Sequence, residues 1–391
     1  MTKINKDIVI IGAGASGLMC AIEAGKRGRS VIILDHMEKS GKKIRASGGG
    51  RCNFTNIISE AGNYLSENPH FCKSALARFT PQDIINMAER HGIAYYEKEK
   101  GQLFCKKTSV EIVKMLHDEC SRALVEIRLH CKVGNITKAE LFSIVTDIGI
   151  MEAESLVIAT GGLSYPELGA TDVGYRIADK FGLTVTPLRP ALVPLLWNGS
   201  DRKIFSELSG ISINATASCG KRHFRGEVLF THRGLSGPAI LQISSYWMPG
   251  KEIVINLMPD IDICAHFMEK SKSRTELDNL ISEFLPKSLS RKWCELNAPS
   301  RPMCSFSEKD YKAIANKIHN WTITPGGTEG YKKAEITCGG IDTDQLSSKT
   351  MEAKKVPGLF FIGEVVDVAG QLGGYNLQWA WSSGFAAGQY V

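Results

Sequence analysis

Asp7-Ile-Val-Ile-Ile-Gly12-Ala-Gly14-Ala-Ser-Gly17 and Ser30-Val-Ile-Ile-Leu-Asp35 are the two stretches on which the fold turns. The unbroken β-branched run that stops at Gly12 has the pattern of a short strand buried on both faces. After it, Leu18 and Ile22 with the small Ala21 and Gly25 give a helix its packing side. Lys26 and Arg27 fall in the last turn and Gly28 caps it, which predicts a helix to about residue 28. Ser30 to Asp35 is then a second strand, and Asp35 lies 18 residues beyond Gly17. Strand, G-x-G-x-x-G, helix, strand and acid form the dinucleotide-binding arrangement in the context it requires. Gly12 permits the tight turn, Gly14 lets backbone approach a pyrophosphate, and Gly17 lets the helix lie close to the strand. The helix start, with Ala15 and Ser16 in its first turn, faces the phosphates. Asp35 accepts hydrogen bonds from an adenosine ribose and repels a 2′-phosphate. A tightly packed βαβ unit without ligand and a methyltransferase-type βαβ use the same elements.

The 391 residues leave room for two or three domains and a large core. Apolar residues at 43% and charged residues at 23% are ordinary globular usage, which excludes disordered, coiled-coil and collagen-like chains. Lys and Arg number 47 against 41 Asp and Glu, and the resulting +6 is too dilute to indicate a nucleic-acid surface. A nucleic-acid partner is therefore not expected, whereas an anionic small ligand suits the balance. The 11 cysteines are scattered and never spaced C-x-x-C, which points to reduced thiols in a cytoplasmic protein, with no disulfide framework and no metal site. The most apolar run, Ile8 to Ala24, is interrupted by Gly12, Gly14 and Gly17 and preceded by Asp7, so neither a membrane span nor a signal peptide is expected. The oligomeric state is left open.

Three further segments join the first. Ser40-Gly-Lys-Lys43-Ile-Arg-Ala-Ser-Gly48-Gly-Gly50-Arg51-Cys52-Asn53-Phe-Thr-Asn56 offers bare backbone amides and the charges of Lys42, Lys43, Arg45 and Arg51, more than the first half of NAD requires. The same composition also suits a surface loop. Leu156-Val-Ile-Ala-Thr160-Gly161-Gly162 reads as a buried strand ending in small residues. Val356-Pro-Gly-Leu-Phe-Phe-Ile-Gly363-Glu364-Val-Val-Asp367, then Gly370-Gln-Leu-Gly-Gly374-Tyr375-Asn376-Leu377 and a helix, repeat the order strand, acid, glycine turn and helix start, a platform for a polar ligand.

These residues resemble the two-dinucleotide-binding-domain flavoproteins. More narrowly, Ser47-Gly-Gly-Gly-Arg-Cys-Asn-Phe-Thr-Asn56, Phe230-Thr-His-Arg-Gly-Leu-Ser-Gly-Pro238 and Gly363-Glu to Gly373-Gly-Tyr-Asn-Leu-Gln-Trp-Ala380 resemble the bacterial FAD-binding oxidoreductase family containing aminoacetone oxidases and BaiN-type bile-acid reductases. The likeness spans nearly the whole chain, with Asp35 standing where many flavoproteins carry Glu. It implies an α/β fold: a Rossmann-like FAD-binding domain of the glutathione-reductase type with an inserted β-barrel-like plus helical region. It also implies that Gly12, Gly14, Ala15, Ser16 and Gly17 contact the pyrophosphate of FAD and that Asp35 contacts the ribose. Lys43 with Gly50, Arg51, Cys52 and Asn53 would meet the middle and flavin portions, and a backbone amide around Val133 the adenine. Thr160, Gly161, Gly162, Gly363, Glu364, Gly374, Tyr375, Asn376 and Leu377 would complete the site.

Between Pro187 and about Ile323 the strand–helix alternation stops. Pro187–Trp197, Ile211–Cys219, His223–Phe230 and Lys251–Leu257 read as antiparallel strands. Residues 261–284 and 308–319 have helical spacing, Leu277, Leu280, Ile281 and Phe284 forming one stripe. The expected domains are 1–188 and 341–391 for FAD, 189–257 with 322–340 as an inserted β-rich domain, and 258–321 as an inserted helical subdomain. No second G-x-G-x-x-G precedes a helix, so NAD(P)H is expected only as a transient electron donor at the flavin.

Hydride transfer to or from flavin N5 is the implied chemistry, either amine oxidation by dioxygen or NAD(P)H-dependent reduction of a conjugated double bond in a small organic substrate. The alternatives are an FAD-binding sensor or RNA-binding protein without redox turnover, and a flavin-free NAD-dependent dehydrogenase. The catalytic base is not legible; the candidates are Arg51, Tyr165, His232 and Tyr375, although a His placed like His232 more often caps its turn. Arg51 and the glycines beside Cys52 would lower its pKa, although packing near the cofactor accounts for that cysteine as well. Asn376, at the start of the last helix, would aim that helix's positive end at the flavin N1 and O2 edge, an effect of about 0.3–2 kcal/mol. Trp379 and Trp381 read as helix packing, and Lys270 to Arg274 as a solvated face.

Overall fold

The computed structural model describes residues 3–391, and residues 1 and 2 of the expected first segment lie outside it. The chain divides into two units, residues 1–189 with 336–391, and residues 190–335.

The first unit is built on a sheet whose parallel part runs Glu126–Arg128, Val31–Leu34, Lys3–Ile11, Gly149–Ile158 and Leu359–Phe361. Ile8 to Ile10 and Ile32 to Leu34 are wholly buried, as continuous apolar strands covered on both faces must be. Gly149–Ile158 is long enough to hold two neighbours on one edge. Its first half pairs antiparallel with Phe142–Thr146, and its last three residues pair in parallel with Leu359–Phe361. The second partner arrives from 200 residues further along, so the last part of the chain completes the sheet begun by the first.

The first helix spans Ala15–Lys26 and ends at Arg27. A Cβ on Gly25 would lie 2.4 Å from the Ala123 carbonyl oxygen, next to the helix Val110–Arg122. On the other side the first helix packs against the closing helix Tyr375–Gly388, whose Trp379 and Trp381 are buried and donate their indole N–H groups to the carbonyls of Gly363 and Phe54. The two tryptophans thereby hold two distant loops as well as packing the helix.

The second unit carries a seven-stranded antiparallel sheet in the order Trp321–Ile323, Ile253–Asn256, Ser212–Cys219, Arg222–Phe230, Gly234–Ser236, Leu195–Leu196 and Gly327–Thr328. Its two edge strands are joined by residues 324–326, and the four steps from residue 323 to 327 reach at most about 14 Å. Seven flat strands would separate those edges by roughly 29 Å. The sheet must therefore curl, which the rings confirm: Trp321 on one edge strand stacks on Phe230 in the fourth strand at 6.1 Å. Pro187–Trp197, expected as one strand, is interrupted at residues 192–194, where Leu192 has φ +48° and Pro194 has no N–H to donate, and leaves only the pieces Arg189–Ala191 and Leu195–Leu196.

The helix expected over 261–284 is two helices, Ile263–Glu269 and Leu277–Ile281, because the Lys/Ser run between them turns instead. Phe284 falls beyond the second helix and is 36% exposed, so the apolar stripe ends at Ile281. Glu308–His319 forms as expected, with a capping box at Ser307 and Asp310. Lys287–Asn297 is a further helix that the spacing did not announce. These helices and the curled sheet share one apolar core. Among the described residues no helix is long and apolar enough to cross a membrane, and no group of three or more His, Cys, Asp or Glu could hold a metal ion.

Candidate functional site

The first glycine loop is shaped by close approach. Gly12 has φ +114°, and a Cβ on Gly17 would lie 2.0 Å from the Gly12 carbonyl oxygen. A Cβ on Gly14 would meet nothing within 4 Å. The helix starting at Ala15 has no side-chain cap, so its first N–H groups lie beside that open space. Asp35 does more than the sequence indicated: its carboxylate accepts the N–H of Ala13 at 2.7 Å and that of Met37 at 2.9 Å, binding the loop to the end of the second strand. Two oxygens offer about four acceptor directions, so capacity remains for a ligand hydroxyl. The Asp35 N–H donates to the Arg128 carbonyl and the Cys131 N–H to the Asp35 carbonyl, both at 2.9 Å, which puts Val133, the start of the strand Val133–Lys138, two residues past this pairing.

Thr160, Gly161 and Gly162 leave the sheet beside the same loop, since the Ala159 N–H donates to the Ile11 carbonyl at 2.9 Å. Gly363 also lies there; a Cβ on it would be 2.5 Å from Ser16 Oγ. Lys43 and Glu364, 321 residues apart, form an ion pair at 2.7 Å. Lys43 Nζ also donates to Ser164 Oγ at 2.9 Å, while Glu364 accepts from Ser164 Oγ and from the Thr337 N–H, each at 2.9 Å. Ser164 and Thr337 are partners of this ion pair that the sequence reading missed. Ser164 carried a signal, standing two residues after the Gly161-Gly162 pair; Thr337 carried none.

The second glycine segment docks on the start of the closing helix. Gly374 has φ +95°, and a Cβ there would lie 2.5 Å from the Thr55 carbonyl carbon. The Asn53 amide, turned to satisfy its neighbours, accepts the Gly374 N–H at 3.1 Å and donates to the carbonyls of Thr55 and Leu103. Asn56 Nδ2 donates to the Gly373 carbonyl at 3.0 Å, and Thr55 Oγ1 to Gln378 Oε1 at 2.6 Å. Asn376 accepts the Gly370 N–H and donates to the carbonyls of Gly370 and Gln371. The side chains of Asn53 and Asn376 are thus occupied within the protein, which leaves backbone as their offering to a ligand. The helix start at Tyr375, Asn376 and Leu377 has no side-chain cap.

The reading that its neighbours would lower the Cys52 pKa is reversed. Cys52 is wholly buried, and burial pushes its thiol up to about 12 against a weaker opposing hydrogen bond from Ser47. Arg51 is exposed, carries no part of that balance and donates to Tyr96 Oη at 3.3 Å. Gly50 accepts the Ser109 N–H at 2.8 Å, fixing the end of the glycine run. Tyr165 has φ +59°, an uncommon conformation for a bulky residue, directly after Ser164 of the Lys43 network. Tyr375 is buried against the Tyr64 ring, and burial raises its phenol pKa, so it stays protonated across the physiological range. Arg51, Tyr165 and Tyr375 all belong to the first unit. His232 belongs to the second, exposed at the turn between Arg222–Phe230 and Gly234–Ser236, and Thr231 Oγ1, accepting the N–H groups of Arg233 and Gly234, closes that turn without it.

The profile of the HI0933-like protein Rossmann domain matches residues 6–390. The chain belongs to the HI0933-like Rossmann family. As a member of this FAD-binding family it is an FAD-dependent oxidoreductase, like the enzymes for which its relatives are named. It is 49% identical over 389 residues to the ribosomal RNA dihydrouridine synthase of Escherichia coli K12, covering 98% of this chain and 97% of that one. The protein of the same name from Haemophilus influenzae is 46% identical over 388 residues, covering 97% and 96%. The 3-dehydro-bile acid delta(4,6)-reductase of Clostridium scindens is 31% identical, covering 98% of each chain. Among solved structures, the HI0933-like chain superposes on the Escherichia coli quinol fumarate reductase subunit FrdA with a TM-score of 0.51 at 16% identity, covering 100% of this chain and 70% of that one. That likeness speaks for the fold alone.

Proposed function

We propose that this protein reduces the C5=C6 double bond of a uridine in ribosomal RNA, using FAD held by the four segments described above and NAD(P)H as a transient electron donor. The observation that supports this most is the 49% identity, along nearly the full length of both chains, to a protein named for ribosomal RNA dihydrouridine synthesis. The uracil C5=C6 bond is conjugated to the C4 carbonyl, so it accepts hydride at C6 and a proton at C5. The relative named for delta(4,6) reduction also saturates double bonds, so both names fit the conjugated-bond reduction in the sequence reading. Reading the dilute +6 charge against a nucleic-acid partner used an average over 391 residues, and an average does not report where charge is concentrated.

The arrangement fits FAD. The open space before the uncapped helix at Gly14 suits a pyrophosphate, with Gly12, Ala15, Ser16 and Gly17 around it, and Asp35 keeps acceptor capacity for the ribose. Lys43, Glu364 and the backbone at 50–53, 160–162 and 374–377 would line the remainder, with Val133 at the adenine. Bound and reduced, FAD supplies the hydride. The protein holds the two uncapped helix starts as fixed positive ends, Lys43 as a cation kept in place by Glu364, and Tyr375 as a phenol that retains its proton.

The test is incubation of purified, flavin-loaded protein with NADH or NADPH and ribosomal RNA from cells lacking the enzyme, with nucleosides counted by mass spectrometry. Dihydrouridine should appear with one NAD(P)H consumed per residue formed. Tight binding of FAD and RNA without dihydrouridine would replace this reading with a non-catalytic binding protein, and hydrogen peroxide formed from simple amines would replace it with an oxidase.

A further inference from the structure

The second unit concentrates positive charge at one place. The hairpin formed by Ser212–Cys219 and Arg222–Phe230 turns at Gly220 and Lys221, and its tip reads Lys221-Arg222-His223-Phe224-Arg225 with no acid among the five. Lys221, Arg222, His223 and Arg225 are exposed. A neighbouring turn brings Lys251 to the same tip. Cys219 Sγ donates to the Tyr246 carbonyl, and Trp247 Nε1 donates to the Lys251 carbonyl at 2.7 Å, which fixes residues 246–251 against the hairpin. The Arg222 guanidinium lies over the Tyr246 ring, 5.2 Å from its centroid, and Phe224 packs on the same ring at 5.6 Å. Asp260 pairs with Arg225, and Glu252 follows Lys251; Lys221, Arg222 and Lys251 form no ion pair among the described residues.

We infer that this hairpin tip, Lys221 to Arg225 with Tyr246 and Lys251, is a docking surface for the sugar-phosphate backbone of RNA. The inference rests on the ribosomal RNA reading above and adds where that substrate is gripped. Exposed charge alone would do no more than protect a strand from edge-to-edge pairing. A guanidinium placed over an aromatic ring is different. The ring restrains the side chain near the hairpin tip while its N–H groups remain a planar fork for phosphate. The other basic run, Lys270-Ser-Lys272-Ser-Arg274, lacks these features. It is flanked by Glu269 and Glu276, and none of its charged groups lies over an aromatic ring among the described residues.

The flavin-loaded protein would be compared with Lys221→Glu/Arg222→Glu/Lys251→Glu, with Lys270→Glu/Lys272→Glu/Arg274→Glu, and with Arg222→Lys. Filter binding to protein-free ribosomal RNA would be measured over a salt series, alongside the flavin spectrum and the rate of flavin reduction by NAD(P)H. The hairpin triple variant should bind at least about tenfold more weakly near 0.15 M salt, with the slope of log K against log salt shallower by about 2. Its KM for RNA should rise while kcat at saturating RNA, flavin content and flavin reduction stay at the parent values. Arg222→Lys should keep the slope and lose part of the affinity, and the 270–274 variant should bind like the parent. Parent-like binding by the hairpin variant, or equal weakening by the 270–274 variant, overturns the docking surface while leaving the RNA reading intact. A parent protein that neither binds nor modifies the RNA overturns both.

Discussion

The two units reach stability by opposite routes. In the first, segments more than 300 residues apart meet through contacts that tolerate almost no added atoms, as at Gly374 against Thr55, Gly384 against Ser16 and the Trp381–Phe54 hydrogen bond. In the second, large rings at Trp197, Phe205, Phe230 and Trp321 fill the curl of the sheet. The first unit is assembled around glycines, uncapped helix starts and polar clamps. The second is packed with bulk.

That contrast can be broken at Phe230, wholly buried in the second unit. Phe230→Ala should cost about 3–5 kcal/mol by calorimetry or denaturant melting, yet leave the flavin content of the folded protein unchanged. Loss of flavin in proportion to stability would mean that the two units do not divide the work in this way. Gly374→Ala tests the first unit from its crowded side. With φ at +95° and Thr55 in the way, it should cost about 3 kcal/mol and yield colourless protein. Asp35→Asn removes an acceptor for one of two backbone N–H groups, at about 1–2 kcal/mol, and should weaken FAD binding measured by fluorescence titration.

Alkaline pH provides a smaller, graded comparison. Burial raises the thiols of Cys52, Cys105 and Cys120 to about 12 and those of Cys72 and Cys338 to about 11, all in the first unit, whereas in the second only Cys294 rises to about 12. Between the ordinary thiol value near 9 and these folded values the unfolded chain loses protons that the native chain keeps. Their stabilisation is therefore complete below about pH 9 and is lost as pH rises toward 11 to 12. Hydrogen exchange should show the first unit opening before the second in that window. The smallest effect is expected at Gly14→Ala, where nothing lies within 4 Å of the new methyl. Stability should change by less than about 1 kcal/mol while FAD affinity falls, which would separate room for ligand from room for fold.

The legible parts of the site were those in which a residue type has one local reason to be present. Gly12, Gly14, Gly17 and Asp35 fall into this group because the turn and the acid recur within one βαβ stretch. The Glu308–His319 helix was legible through its helical spacing, whereas the 261–284 helix was not, because that spacing persists across a Lys/Ser turn that only the hydrogen bonds reveal. Asn53 and Asn376 could be placed near the site but not oriented, since an amide serves ligand and backbone equally well. The packing reading of Cys52 agrees with its burial, whereas the lowered pKa did not follow, because sequence neighbours suggest charge but do not reveal depth.

The amino-acid order alone determined the dinucleotide-binding beginning, the late Gly363-Glu364 return and the change to antiparallel strands between them, since each is written in short-range periodicity and glycine spacing. Only the tertiary structure decided that Glu364 pairs with Lys43 beside Ser164 and Thr337, that the second sheet must curl on Trp321, and that Arg222 sits over the Tyr246 ring. Those contacts join residues up to 321 positions apart, and their partners are chosen by the packing of whole elements, which no local pattern encodes.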